Sequence, residues 1–207
     1  MKEVLNSIVN EIVKEIKNTH LIEIEASGRH IHLSQEDLEK LFGKGYILNK
    51  VKELSQPGQY VCQERVDIIG PKNTIKNVVV LGPVRKETQV EVSLTDARLL
   101  GIDVPIRQSG DIDNTPGIKI KSEKGIIEKD KGIIVAQRHI HIEEKDKDKF
   151  NVFDGEIVKV KVFSNRPLIF DDVVVRISPN FKTYMHIDFD EANACAFKNG
   201  TFGIIIK

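Results

Sequence analysis

Apolar residues recur at spacings of three and four at the start of the chain, where Val4, Leu5, Ile8, Val9, Ile12, Val13 and Ile16 lie opposite Glu3, Asn10, Lys14 and Lys17. The spacing predicts an amphipathic helix over residues 1–20, suited to packing on its own protein, to a dimer contact or to docking into a larger assembly. Glu11, Lys14 and Glu15 interrupt the apolar run, so it does not read as a secretory signal. No stretch of the chain approaches the roughly 18 apolar residues of a membrane span.

Beyond residue 20 the period shortens to that of β-structure. Strands are predicted at 21–25, 59–69, 76–82, 88–94, 117–121, 132–136, 156–163, 168–177, 184–189 and 202–206. They are punctuated by Pro57-Gly58, Gly70-Pro71, Gly82-Pro83, Thr115-Pro116-Gly117 and Ser178-Pro179. Short strands at such intervals favour compact barrels. Brief helices are expected after each His-x-His pair, with Ser34-Gln35-Glu36-Asp37 as one helix start, and again at Asp96 to Leu100 and Asp190 to Ala196.

Composition narrows the classes. The 207 residues are 40% apolar and 30% charged, enough for one large domain or two small ones. Lysine plus arginine and aspartate plus glutamate stand at 31 each, so no basic surplus invites nucleic acid. The two cysteines, Cys62 and Cys195, imply no disulfide framework and fit a reducing interior, where both read as packing residues.

Four of the six histidines fall in a repeated tetrapeptide, Arg29-His30-Ile31-His32 and Arg138-His139-Ile140-His141. In a strand, residues two apart share a face at about 6.5 Å, so each pair can pinch one ion while the isoleucine packs behind. A shift of 95 residues lays Val78-Val79-Val80 on Val173-Val174-Val175, Thr88 on Thr183, Glu91 on His186 and Ala97 on Ala192. Each repeat thus offers three candidate ligands: His30, His32 and Glu91, then His139, His141 and His186. The His-x-His motifs are offset by 109, so the first repeat carries 14 extra residues, expected to be loop. Three nitrogen or oxygen ligands with a fourth position open suit catalytic zinc, although cobalt, nickel or iron accept the same donors. Exposed, metal-free histidines alternating along two strands are the bland alternative.

Several further stretches stand beside these motifs: Ser27-Gly28-Arg29 through Leu33, Gln56-Pro57-Gly58-Gln59-Tyr60, Leu81-Gly82-Pro83-Val84-Arg85 through Glu91, Ser109-Gly110, Met185-His186-Ile187-Asp188 and Asp190-Glu191-Ala192-Asn193. Together, over nearly the whole chain, they resemble the PduL-type phosphotransacylase family, the phosphate propanoyltransferases of bacterial microcompartments and free-standing acetate pathways. The resemblance implies a mainly β fold of two small β-barrels related by internal duplication, with short capping helices. Residues 21–62 and 136–207 would form one barrel and 63–135 the other.

It also implies two zinc ions near the barrel interface, held by the six ligands already singled out. Arg85 would bind the phosphoryl group with help from Ser109, and Ser27, Lys52, Leu81, His186 and Asn193 would contact coenzyme A. The implied reaction is reversible transfer of a short acyl group, acetyl or propanoyl, between coenzyme A and inorganic phosphate. The alternatives are a dinuclear metallohydrolase of thioesters or phosphate esters and a non-enzymatic metal-binding scaffold. A cytoplasmic setting is expected, inside a microcompartment if residues 1–20 are a loading peptide, with no nucleic-acid or membrane partner and with a homo-oligomer left open.

Overall fold

The computed structural model describes residues 20–206. The helix expected over 1–20 lies outside them, except for His20. In chain order the strands are β1 (Leu21–Ser27), β2 (His30–His32), β3 (Lys50–Glu53), β4 (Tyr60–Ile69), β5 (Thr74–Gly82), β6 (Gln89–Val92), β7 (Ile106–Arg107) and β8 (Ile118–Lys121). They continue with β9 (Ile126–Lys129), β10 (Ile133–Ala136), β11 (His139–Glu143), β12 (Ile157–Phe163), β13 (Ile169–Ser178), β14 (Tyr184–Asp188) and β15 (Phe202–Ile206). The short α-helices are α1 (Gln35–Phe42), α2 (Leu94–Leu100), α3 (Lys147–Phe150) and α4 (Phe189–Ala194).

Two compact units result. One takes its described residues from 20–25, 138–186 and 193–206, and the other from 26–137 and 187–192. Residues 26–62, expected with the first barrel, group instead with 63–137 because β2 and β4 hydrogen-bond to β5. The chain exchanges strands between the units: β1 precedes β2 yet joins the sheet of β11 to β15, and β10 precedes β11 yet pairs with β6.

The first unit is a closed barrel in the order β1-β14-β11-β13-β12-β15. Strand β12 shows why it closes around an apolar interior. Val158, Val160 and Val162 point inward and are buried, while Lys159 and Lys161 alternate with them outside. Ile140, Ile142, Val173 and Val175 complete the filling.

The second unit departs from the expected second closed barrel. It is a nine-stranded open sheet in the order β7-β10-β6-β2-β5-β4-β8-β9, with β3 added beside β4. The edge strand β7 is only two residues long and cannot seal a barrel. At the other end, the close of α1 lies against the β8–β9 hairpin, where the Ser122 hydroxyl donates to the Leu41 carbonyl and a helix guards the edge in place of a strand. Helix α1 starts where Ser34 accepts a hydrogen bond from the Asp37 amide at 3.2 Å, and it buries Leu38 and Leu41 in a core with Ile31, Val66, Val80, Val90 and Leu100. A reciprocal Ser93–Asp96 capping box opens α2.

The 14 residues expected as loop contain β3, an exposed strand whose only apolar residue is Val51. Within each unit the same three-strand pairing recurs. Strand β2 runs parallel to β5 and antiparallel to β6, and β11 runs parallel to β13 and antiparallel to β14. His30 faces Val79 and Glu91, and His139 faces Val174 and His186. The left-handed residues Asn77 (φ 60) and Asp172 (φ 53) obey the same offset. Both are side-chain types that accept positive φ near a strand irregularity.

Candidate metal centre

Strand alternation builds the first cluster. His30 and His32 share one face of β2, Gln89 and Glu91 share one face of the adjacent β6, and the register sets His30 opposite Glu91 and His32 opposite Gln89. Ile31, between the histidines, is fully buried on the opposite face. His30 Nε2 lies 3.4 Å from Glu91 Oε2, and His32 Nε2 lies 4.0 Å from Glu91 Oε1. Among the described residues these three form a buried group that could hold a metal ion, with one ligating atom from each within 4.8 Å of the others.

The outer contacts suit ligation. His30 Nδ1 is 2.8 Å from the Gly28 carbonyl, which must accept, so Nδ1 carries the hydrogen and Nε2 is turned toward Glu91. A Cβ on Gly28 would come within 2.8 Å of the tip of the Phe189 ring, so a larger residue here would have to displace that ring. His32 turns Nε2 toward Glu91, and its Nδ1 is buried with no hydrogen-bond partner.

The charges interlock. Burial opposes ionisation of Glu91, but the neighbouring His30 outweighs it and holds the carboxyl well below its usual range. Burial likewise opposes charge on His30, yet Glu91 raises its pKa. His32 is driven well below the ordinary histidine value by burial, then by His30 and Arg85. A divalent cation could take the place of the His30 proton as the charge that balances Glu91.

A polar network continues from Glu91. Ser109 Oγ donates to Glu91 Oε1 at 2.8 Å and accepts from Arg85 Nη1 at 3.1 Å. Gln89 Nε2 donates to Glu91 Oε1 at 2.6 Å and to Ser109 Oγ at 2.9 Å, while its Oε1 accepts from the Gly110 amide at 2.7 Å. Arg85 and Ser109, expected as partners toward phosphate, are therefore in contact. Gln89 lies inside the 81–91 stretch that carries the family resemblance, but no role was expected of it there.

The second cluster lies wholly within the barrel unit. His139, His141 and His186 converge with ring centroids 4.7, 5.2 and 4.9 Å apart, by register between β11 and β14. His141 Nδ1 is buried without a hydrogen-bond partner, as is His32 Nδ1 at the matching position. Burial, then His139, His186 and Arg176, push the His141 pKa down to about 2, so its ring is neutral and able to ligate at any ordinary pH. His186 Nδ1 stands 3.8 Å from Glu25.

The residues expected at coenzyme A are scattered through both units. Ser27 Oγ is 3.5 Å from His30 Nδ1, Leu81 is buried in β5, and Lys52 stands exposed on β3. His186 and Asn193 fall in the barrel unit. Both cysteines are buried and outside any disulfide, and burial raises the Cys62 thiol to about 11, which makes it a poor nucleophile.

The fold and the site together define a class: a β-protein carrying buried histidine and carboxylate donors of the type that bind divalent metals, one of them joined through a serine to an arginine suited to an anion. The model of the family described as phosphate propanoyltransferase matches residues 23–198. A phosphate propanoyltransferase of Clostridioides difficile is 61% identical over 207 residues, covering 100% of this chain and 99% of its own. One of Listeria monocytogenes is 56% identical, covering 99% and 96%, and one of Thermotoga maritima is 52% identical, covering 96% and 95%. The chain belongs to the phosphate propanoyltransferase family and is an acyltransferase. Among the described residues no helix is long and apolar enough to cross a membrane.

Proposed function

We propose that the protein transfers a short acyl group, propanoyl or acetyl, between coenzyme A and inorganic phosphate, giving acyl phosphate. The observation that carries this reading is the contact chain Arg85–Ser109–Glu91, which links an anion-binding fork to a buried metal ligand. In this reading His30, His32 and Glu91 hold one divalent ion and His139, His141 and His186 hold a second, zinc being the first choice for such donors. The matched orphaned nitrogens of His32 and His141, and the recurring register around them, support a duplicated site. When bound, such ions supply charge neutralisation and Lewis-acid polarisation.

The chain's own groups account for the remainder. The planar, permanently charged Arg85 guanidinium offers two parallel donors to phosphate oxygens, and Ser109 holds one of its nitrogens in place. A phosphate oxygen so positioned attacks the thioester carbonyl, forming the C–O bond as the C–S bond breaks. Guanidinium donors near the developing oxyanion would lower the barrier by about 3 kcal/mol for a well-placed group. The thiolate departs readily because an ordinary thiol has a pKa of about 8.5, so no strong general acid is required. Ser27, Lys52, Leu81, His186 and Asn193 are assigned to coenzyme A in this proposal.

The test is metal content together with phosphate-dependent release of thiol from propanoyl- and acetyl-coenzyme A by one purified sample. Thiol release without phosphate would instead favour hydrolysis, and full activity after chelation would refute the metal assignment. Two buried cysteines outside any disulfide fit a reducing cytoplasmic interior. Residues 1–20 are assigned to loading the enzyme into a microcompartment. Deleting them should abolish shell association and leave turnover intact.

A further inference from the structure

Gln89 is buried at 2% exposure and has every polar hydrogen and its carbonyl engaged. Its orientation is chemically determined. The Gly110 amide can only donate, so the Gln89 atom 2.7 Å from it is the carbonyl, and the amino group must face Glu91 and Ser109. Glu91 Oε1 thereby accepts from both Gln89 and Ser109, and Oε2 is the oxygen turned to His30. Ser109 in turn accepts from Gln89 and Arg85 and gives its only proton to Glu91, so its rotamer is fixed from three sides. In the equivalent register position opposite His141 the barrel unit has Tyr184, which has no amide to share.

The geometry points to Gln89 as a positioning residue for the acyl transfer: it dedicates Glu91 Oε2 to the metal and, through Ser109 and the Gly110 amide, sets where the Arg85 guanidinium meets phosphate. This rests on the proposed metal and phosphate roles of Glu91 and Arg85, and extends them to a side chain that touches neither ligand. Outer partners of ligating carboxylates commonly tune metal affinity by about 10- to 100-fold.

The test compares wild type, Q89M and E91A by zinc titration against a competing chelator, together with the KM for phosphate and for propanoyl-coenzyme A. E91A identifies the class of zinc held by Glu91. Q89M is expected to weaken that class alone by about 10- to 100-fold and to raise the phosphate KM more than the coenzyme A KM. Q89L removes the same donors with a branched apolar side chain and carries the same expectation if Q89M melts below the assay temperature. Unchanged zinc affinity and an unchanged phosphate KM in the folded variants would overturn the role of Gln89. So would equal weakening of both zinc classes and both KM values, the mark of a merely structural residue. If E91A itself retains all zinc, the underlying metal assignment fails instead, which separates the two ideas.

Discussion

Ser109 Oγ lies 2.8 Å from Glu91 Oε1 and 3.1 Å from Arg85 Nη1, so a single hydroxyl joins a buried carboxylate to a guanidinium from a different segment of the chain. The hydroxyl donates its proton to the carboxylate and accepts from the guanidinium. Removing it takes away the acceptor that Ser109 offers to Arg85 Nη1. Ser109→Ala should raise the KM for phosphate by about 10-fold, the effect of losing one hydrogen bond to a charged group, and should lower thermal stability because the buried Gln89 amide loses an acceptor. Steady-state kinetics with phosphate varied at saturating acyl-coenzyme A will measure it.

Metal dependence and cysteine independence should separate cleanly. His32→Ala, His141→Ala and chelation are each expected to remove activity to below about 1% of wild type, since each deprives an open site of a ligand or of its ion. Cys62→Ala and Cys195→Ala should retain turnover, because neither thiol has a place in the transfer and burial keeps that of Cys62 protonated. Activity assays paired with metal analysis decide both halves.

The metal-free protein should lose stability in acid, and His141 should be one cause. Its folded pKa is about 2, far below the value of 6.5 for an unperturbed histidine. The unfolded chain therefore binds a proton first, so the contribution of His141 is fully present above pH 6.5 and drains away as the pH falls toward 2. Thermal melts of the chelated protein from pH 7 to pH 4 should show Tm falling. The decline should be shallower in His141→Phe, which has nothing to protonate, and an equally steep decline would contradict the assignment.

Ile31 ties the core to the candidate metal ligands. It is fully buried between His30 and His32, with its side chain packed on the opposite face of β2. Ile31→Ala should cost about 2–5 kcal/mol in denaturant unfolding through the cavity it leaves. It should also weaken zinc binding, because β2 would no longer be held in register. The conservative Ile31→Val should cost about 1 kcal/mol and leave zinc affinity near wild type.

Much of the architecture could be read from alternation. Lys159 and Lys161 interleaved with Val158, Val160 and Val162 announce a half-buried strand, and Ser34 before an acidic turn announces a helix start. Strands β3, β7 and β9 escaped notice because Lys50–Glu53 is exposed throughout, Ile106–Arg107 is too short to show a period, and Ile126–Lys129 places two isoleucines side by side with no clear alternation. The candidate metal ligands were legible because one of them, Glu91, stands at the same offset from His186 as Val79 does from Val174. Gln89 was not legible, since a lone glutamine in a strand has no meaning until its neighbours are known.

By itself the sequence determined most of the strands, the duplicated His-x-His register and the six candidate ligands, because these depend on spacing along one chain and on which residues a pleat sends to the same side. Only the tertiary structure decided that one unit closes while the other stays open, that β1 and β10 trade places between them, and that Gln89 and Ser109 meet on Glu91. Those outcomes depend on hydrogen bonds between segments distant in the chain, and local periodicity carries no record of which distant edge a strand will find.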